Sequence, residues 1–343
     1  MKHRLLRQLM QHTTLLAAGL GFAAFAHAGS YSNLFVFGDS LSDIGNDRLV
    51  TGGAVPSAAY YTNGTATGRF TNGMTYADYL ATGLGLSLTP SVSGGNNYAF
   101  GGARTSSVAS GLPPTALSFN QQISAYGTTH AQSDAGALYV LWIGANDMSD
   151  AISAVAQGGN PALLGAAVNS SMQAIGNAIQ TLSSQGATHF LIPNLPDLSL
   201  IPAINSRNSA GLTALAHNAS LSFNGALANT LSSFSTLDIR GLDVFAEQAA
   251  ITANPSAYGF TNVTNACYTG DVGGQALPGG PAPSVCSTPG SYLYWDYEHP
   301  TQALHAVLGA QALAAAVPET SQWAMLALGL AAVGGVARTR RRG

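Results

Sequence analysis

Short apolar runs alternate with longer segments of helical periodicity along this chain, and that alternation restricts the fold more than any other feature. The apolar runs lie at 34–37, 97–100, 137–143, 189–192 and 237–244, and the helical segments at 74–84, 161–184, 206–233 and 302–316. Strands that alternate with helices are typical of βαβ units, in which helices cover both faces of a parallel sheet. The sequence therefore predicts an α/β domain with a five-stranded parallel sheet.

Polar or small residues follow the ends of four of these runs, namely Ser40, Gly102, Asn146 and Asn194. Right-handed crossovers place the carboxyl ends of all parallel strands along one edge of a sheet. Ligands of open α/β sheets bind at that edge. We therefore expect these residues to share an active site.

Ser40 is the candidate nucleophile. It stands just beyond the first apolar run, which Gly38 ends. A helix that starts after Ser40 would direct its free N–H groups toward a developing negative charge. Gly-Asp-Ser is also ordinary turn composition, so this motif alone does not identify a nucleophile.

His299 and Asp296 are the candidate partners of the serine. A serine hydroxyl needs a base to take its proton, and the base works best when a carboxylate orients it. His299 precedes Pro300, which suits the first position of a helix, so we expect the histidine to project from a loop. The oxyanion of an acyl transfer needs donors, which the Ser40 N–H, the Gly102 N–H and the Asn146 amide can supply. Two structural alternatives stay open: a plain turn at 101–102 and a helix cap at 146–147.

The charge balance excludes one class of partner. Between Ser30 and Val317 the sequence has five Arg, no Lys and fourteen Asp or Glu, which leaves this part near −9. A chain of that charge does not favour nucleic acid. No Cys-x-x-Cys pattern accompanies the two cysteines, and Asp39, Asp43 and Asp47 are spaced by four, which does not fit a calcium loop. We expect neither a metal nor a cofactor.

Both ends of the chain have the composition of targeting segments. Residues 1–28 have a basic start, a short apolar run and an Ala-x-Ala site, which is typical of a signal peptide. Export would permit a disulfide between the only two cysteines, Cys267 and Cys286. The far end, 318–343, has an apolar run followed by a cluster of arginines, which also fits a simple membrane anchor.

Four motifs occur in order: FGDSLSD at 37–43, NYAFGGA at 97–103, GAND at 144–147 and DYEHPT at 296–301. Together they resemble the four sequence blocks of the GDSL, or SGNH, hydrolase family. GRFTNG at 68–73 and PNLPD at 193–197 resemble further family segments. The resemblance covers the chain from about residue 33 to about residue 315.

The resemblance implies a flavodoxin-like three-layer α/β/α sandwich with a five-stranded parallel sheet. It makes Ser40 the nucleophile, His299 the base and Asp296 the orienting carboxylate. It makes the Ser40 N–H, Gly102 and Asn146 the oxyanion hole. The resemblance assigns the oxyanion glycine to Gly102 and not to Gly101, because of its sequence spacing from Asn97 in the motif.

The tail at 318–343 resembles the PEP-CTERM sorting signal of Gram-negative bacteria, except that Thr320 stands where that motif has its second proline. This resemblance implies a sorting enzyme as a partner, and a periplasmic, surface or matrix location after processing. The expected organisation is a signal peptide at 1–28, a hydrolase domain at 29–317 and the tail.

The expected function is an exported esterase or lipase. Its substrate would be a small-molecule, lipid or acylated-glycan ester. The same site would also suit an acyltransferase or a polysaccharide deacetylase, and a catalytically inactive surface or matrix protein is the alternative of another class.

Overall fold

The computed structural model describes residues 31–274 and 282–317. Within them one parallel sheet contains, in spatial order, β1 (Leu34–Gly38), β2 (Leu138–Trp142), β3 (His189–Pro193) and β4 (Asp238–Leu242). The first two strands are buried along their whole length, as expected for apolar strands at the centre of a parallel sheet. The predicted signal peptide and tail lie outside the described residues.

The parallel sheet of the described residues has four strands, one fewer than the predicted five. The run at 97–100 lies beside β1, where the Tyr98 N–H donates to the Val36 carbonyl (2.7 Å), but it forms only an isolated bridge. The Asn97 side chain donates to the Ser42 carbonyl (2.8 Å) and accepts from the Ala99 N–H (3.2 Å). This segment therefore connects β1 to the turns around it and does not continue as a regular strand.

Helices surround the sheet. They are α1 (Asn46–Val50), α2 (Tyr76–Leu84), α3 (Phe119–Thr129), α4 (Ala145–Ala156), α5 (Ala162–Ser184), α6 (Pro202–Asn205), α7 (Ala210–Ser232), α8 (Val244–Ala253) and α9 (Gln302–Ala316). The four predicted helical segments correspond to α2, α5, α7 and α9. None of the helices in the described ranges is both long and apolar enough to cross a membrane.

The helices pack on both faces of the sheet, as predicted. Phe35 of β1 and Tyr139 of β2 contact Tyr126 of α3, with ring centroids 5.0 and 6.0 Å apart. Trp142 points to the other face and contacts Tyr76 of α2 at 5.0 Å. Helix α2 packs on α9, whereas α4, α5 and α7 pack on one another.

A second, smaller sheet was not predicted. It pairs β5 (Asn262–Ala266) with β6 (Tyr292–Tyr294) in parallel, within a region whose sequence shows no strand periodicity. A disulfide joins Cys267 to Cys286 inside this region, as predicted. Because β6 ends two residues before Asp296, the small sheet fixes the approach of the chain to the site.

Candidate active site

Ser40 lies in a tight turn directly after β1. The Asp39 carbonyl accepts from the N–H groups of Ser42 and Asp43, both at 3.0 Å, and this bend presents the Ser40 side chain at the sheet edge. No helix follows the serine directly, which corrects that prediction: α1 begins six residues later and is five residues long. The turn itself therefore positions the hydroxyl.

Gln122 of α3 fixes the residue at which the turn begins. Its side-chain oxygen accepts from the Gly38 N–H at 2.9 Å, and its amide donates to the Gly38 carbonyl at 2.8 Å. Gly38 has no room for a side chain, because a Cβ would collide with the Trp142 carbonyl. This clamp on β1 was not predicted, since α3 itself was not.

Asp43 joins the serine turn to the glycine turn at 101–102. Its carboxylate accepts from the N–H groups of Gly45 (2.7 Å), Asn46 (2.7 Å), Asp47 (3.1 Å) and Gly101 (3.1 Å). A carboxylate that accepts several backbone donors holds them in one arrangement. Asp43 thereby sets the position of the glycine turn relative to Ser40.

Ser40, His299 and Asp296 form a continuous hydrogen-bonded chain across 259 residues of sequence. The Ser40 Oγ lies 2.7 Å from His299 Nε2, and His299 Nδ1 lies 2.8 Å from Asp296 Oδ2. Asp296 Oδ1 accepts from the Glu298 and His299 N–H groups at 2.8 and 2.7 Å, so the loop between them is a tight turn. All three predicted residues are buried and come together as predicted.

The electrostatics of the pair favour an ionised carboxylate beside a basic imidazole. Burial by itself would raise the pKa of Asp296, but the charge and hydrogen bonds of His299 outweigh it and hold that pKa below 3.8. Burial opposes protonation of His299 more than any other single influence, but the charge and hydrogen bond of Asp296 together with the charges of Glu298 and Asp39 outweigh it, so the His299 pKa lies above 6.5. The imidazole can therefore hold a proton taken from Ser40.

Tyr61 is a further contact of the carboxylate that sequence reasoning missed. Its hydroxyl donates to Asp296 Oδ2 at 2.7 Å and accepts from the Gly273 N–H at 3.1 Å. Its ring packs against Tyr268 and Trp295, beside the disulfide. Tyr61 belongs to the stretch 51–73, which reads as a polar surface loop and gives no signal of a buried tyrosine.

The three predicted oxyanion donors border one cleft. Ser40, Gly102 and Asn146 all line it, and among the described residues the N–H groups of Ser40 and Gly102 donate to no protein acceptor. Gly102 has φ +65°, whereas the Gly101 N–H is bonded to Asp43. Gly102 is thus the glycine whose N–H is available.

Asn146 lies in the first turn of α4, just beyond β2. One N–H of its amide donates to the Ala103 carbonyl at 3.0 Å, which leaves the second amide hydrogen for a ligand. Asn194, the fourth residue expected at this edge, donates instead to Asp243 at 2.8 Å and accepts from the Phe245 N–H. Its side chain therefore links β3 to α8.

The other histidines of the described residues have different partners. His305 Nδ1 accepts from the Tyr76 N–H at 3.1 Å, and burial together with the nearby His299 lowers the pKa of His305 to about 3. His189 and His217 pair with Asp238 and Asp197. In 31–274 and 282–317 no three His, Cys, Asp or Glu side chains are grouped as metal ligands would be.

Comparison with known proteins gives a match over most of the chain. The family model described as GDSL-like lipase/acylhydrolase matches residues 34–312. Lipase 1 of Photorhabdus luminescens is 32% identical over 199 residues, covering 57% of this chain and 27% of that protein. A GDSL esterase/lipase of Arabidopsis thaliana is 27% identical, covering 84% of this chain and 90% of that protein.

Solved structures are also similar to this chain. An extracellular lipase from Streptomyces rimosus has 16% identity and a TM-score of 0.45, covering 83% of this chain and 99% of that one. A GDSL-like lipase from Parabacteroides merdae has 13% identity and a TM-score of 0.44, covering 84% and 97%.

Proposed function

The chain belongs to the family of GDSL-like lipases and acylhydrolases and is a carboxylic ester hydrolase, and from this premise we propose that it works through an acyl-enzyme on Ser40. The observation that carries the proposal is the hydrogen-bonded chain Ser40–His299–Asp296, with 2.7 and 2.8 Å between successive partners. That arrangement supports an active enzyme over an inactive matrix protein.

The proposed reaction has two half-reactions. Ser40 Oγ attacks the ester carbonyl carbon while His299 Nε2 takes the hydroxyl proton, and the resulting oxyanion accepts from the Ser40 N–H, the Gly102 N–H and the Asn146 amide. The imidazolium then protonates the departing alcohol oxygen, which leaves an acyl group on Ser40. In the second half-reaction His299 activates water, and the acid leaves.

Hydrolysis of p-nitrophenyl butyrate by the full chain tests the proposal. We expect Ser40→Ala to lower kcat by about 10⁴-fold or more, since nucleophile and base act as a unit. Ser124→Ala is the matched control, because that hydroxyl lies on the exposed face of α3 and bonds only the Asn120 carbonyl. Turnover that survives in Ser40→Ala would reject the assignment.

We also propose that the protein is exported and processed at its tail. Support comes from the signal-peptide pattern at 1–28 and the apolar, arginine-ended segment at 318–343. Intact mass spectrometry of protein from the native host should find a chain that lacks 323–343. A mass that retains the arginine cluster would favour a permanent anchor.

A further inference from the structure

Two clefts of different character meet at Ser40 and His299. The first, called here the inner cavity, has a volume of about 70 Å³ and reaches toward β2. Its walls are mainly apolar and come from Leu41, Trp142, Pro196, Leu198, Ile201 and Leu304. Ser40, Asn146 and His299 border both spaces, so one ester bound at Ser40 can place a group in each.

The second space, called here the outer cleft, has about 600 Å³ among the described residues. Polar side chains line much of it, including Arg104, Ser110, Ser149, Asp150, Ser153 and Asp271. Apolar residues such as Phe70 and Leu112 line the rest of it. An ester at Ser40 therefore meets a small apolar space on one side and, on the other, a wide space in which polar groups are available.

The acyl group belongs in the inner cavity because an apolar chain gains most from leaving water there. Each buried methylene is worth about a fourfold preference. The cavity limits this gain, since its volume of about 70 Å³ is small beside the 600 Å³ of the outer cleft. An acyl group of about two to four carbons fits this space, and a long fatty acyl chain does not.

The charge of the outer cleft restricts the alcohol. Apart from His299, Arg104 is its one basic side chain, and its guanidinium donates twice to Asp150, at 2.8 Å each, and once to the Gly102 carbonyl at 2.7 Å. Asp271 and Glu298 add two more carboxyl groups. An anionic headgroup would be repelled there, whereas neutral hydroxyl groups find donors and acceptors among its serine, arginine and carboxyl side chains.

We propose that the substrates are short-chain acyl esters, from acetyl to butyryl, of neutral polyhydroxylated alcohols, with acetylated saccharides as the class that fits best. This inference rests on the proposed function, because it assigns the two sides of the ester that Ser40 attacks. The acyl group occupies the inner cavity, and the saccharide occupies the outer cleft.

The first test uses the full chain on p-nitrophenyl esters from acetate to palmitate, on an acetylated xylooligosaccharide and on phosphatidylcholine vesicles. We expect kcat/KM to be highest for two to four carbons, acetate release from the oligosaccharide, and no fatty acid from the vesicles. A preference for twelve carbons or more, or faster hydrolysis of phosphatidylcholine, overturns the inference and leaves the esterase assignment standing. Failure on every ester, with Ser40 unlabelled by a fluorophosphonate, overturns the proposed function itself.

Two substitutions test the two spaces separately. Ile201→Ala enlarges the inner cavity and should move the preferred chain by about one to two carbons, and the milder Ile201→Val should move it in the same direction. An unchanged preference in both folded variants overturns the placement of the acyl group.

Ser153→Trp narrows the outer cleft and should lower the ratio of oligosaccharide to p-nitrophenyl acetate turnover by about tenfold or more, given the lost contacts. Ser170→Trp on the exposed face of α5 is the control and should leave that ratio unchanged. Equal ratios in the two variants overturn the placement of the saccharide.

Discussion

The side-chain amide of Asn146 has two N–H hydrogens, and each can donate to a different acceptor. One N–H donates to the Ala103 carbonyl, next to Gly102, and the other is available for the oxyanion of the proposed reaction. We expect Asn146→Ala to lower kcat by about 10²–10³, or roughly 3–4 kcal/mol, while KM barely changes. Steady-state kinetics and a melting curve on one preparation measure both effects. A lower Tm with unchanged kcat would make Asn146 a structural residue only.

Tyr61 acts on His299 through the carboxylate that both contact. Without the Tyr61 hydroxyl, Asp296 Oδ2 loses one hydrogen-bond donor and keeps His299 as its side-chain partner. The negative charge of the carboxylate then acts more strongly on the imidazole. We therefore expect Tyr61→Phe to raise the His299 pKa and to move the acid limb of kcat/KM to higher pH.

Tyr60→Phe is the matched control for this profile, because the Tyr60 ring packs against Tyr268, with ring centroids 4.8 Å apart, and Tyr60 has no hydrogen bond to Asp296. An acid limb in Tyr61→Phe that coincides with that of the control would limit Tyr61 to packing. The limb reports His299 and not His305, whose pKa of about 3 keeps it neutral at the pH values of the assay.

At the scale of elements, the strands were easier to predict than the helices. Strands β1 to β3 are short apolar runs whose burial follows from composition, whereas β4 has a mixed sequence and buries only Leu242. Helix α3 reads as polar, and it is stable because Ser118 and Gln121 form a capping box and Tyr126 packs on β1. Such tertiary contacts between distant segments have no local signal.

The sequence motifs predicted which residues meet better than they predicted the elements that carry them. Ser40, His299 and Asp296 are hydrogen-bonded in series, and Gly102 and Asn146 line the same cleft, each within a recognisable motif. The Asp43 contact with Gly101 and the Tyr61 contact with Asp296 depend on how loops from distant parts of the chain meet. The shapes of the two clefts depend on the same loops, so the sequence could not predict them.

The small sheet and its disulfide form an element whose stability can be tested. Cys267 and Cys286 are 19 residues apart, so their bond should contribute about 3 kcal/mol through the unfolded state. We expect the double variant Cys267→Ser/Cys286→Ser to unfold at a lower temperature and to lose part of its activity, because the segment leads into Asp296. Adding reductant to this variant is the control and should change nothing further. A melting temperature equal to that of the parent would contradict the account.

Across the whole molecule, buried carboxyl groups under the serine turn oppose folding at high pH. Burial raises the pKa of Asp39 to about 7. Burial and then the nearby Asp43 raise the pKa of Asp47, whose oxygens have no hydrogen-bond partner among the described residues. Because the folded state binds more protons than the unfolded state above a pH of about 4, these groups reduce stability as pH rises.

Asp47→Asn removes one such carboxyl group. We expect the variant to gain stability over the parent as pH rises from about 4 to 8, with little difference below pH 4. Chemical denaturation at several pH values measures this difference, and Asp150→Asn, whose side chain is 59% exposed, is the control. A difference in unfolding free energy that does not grow with pH would show that Asp47 is not the group that titrates.

The central claim is that His299 activates Ser40 as the nucleophile of an ester hydrolase, and labelling by a fluorophosphonate tests it most directly. Intact mass and peptide mapping of the full chain should find one adduct, on Ser40, and none on Ser40→Ala. On His299→Ala the adduct should form slower by about 10³-fold or more, since the base is lost. Labelling of Ser40→Ala at the rate of the parent, or of His299→Ala without any loss of rate, would contradict the account.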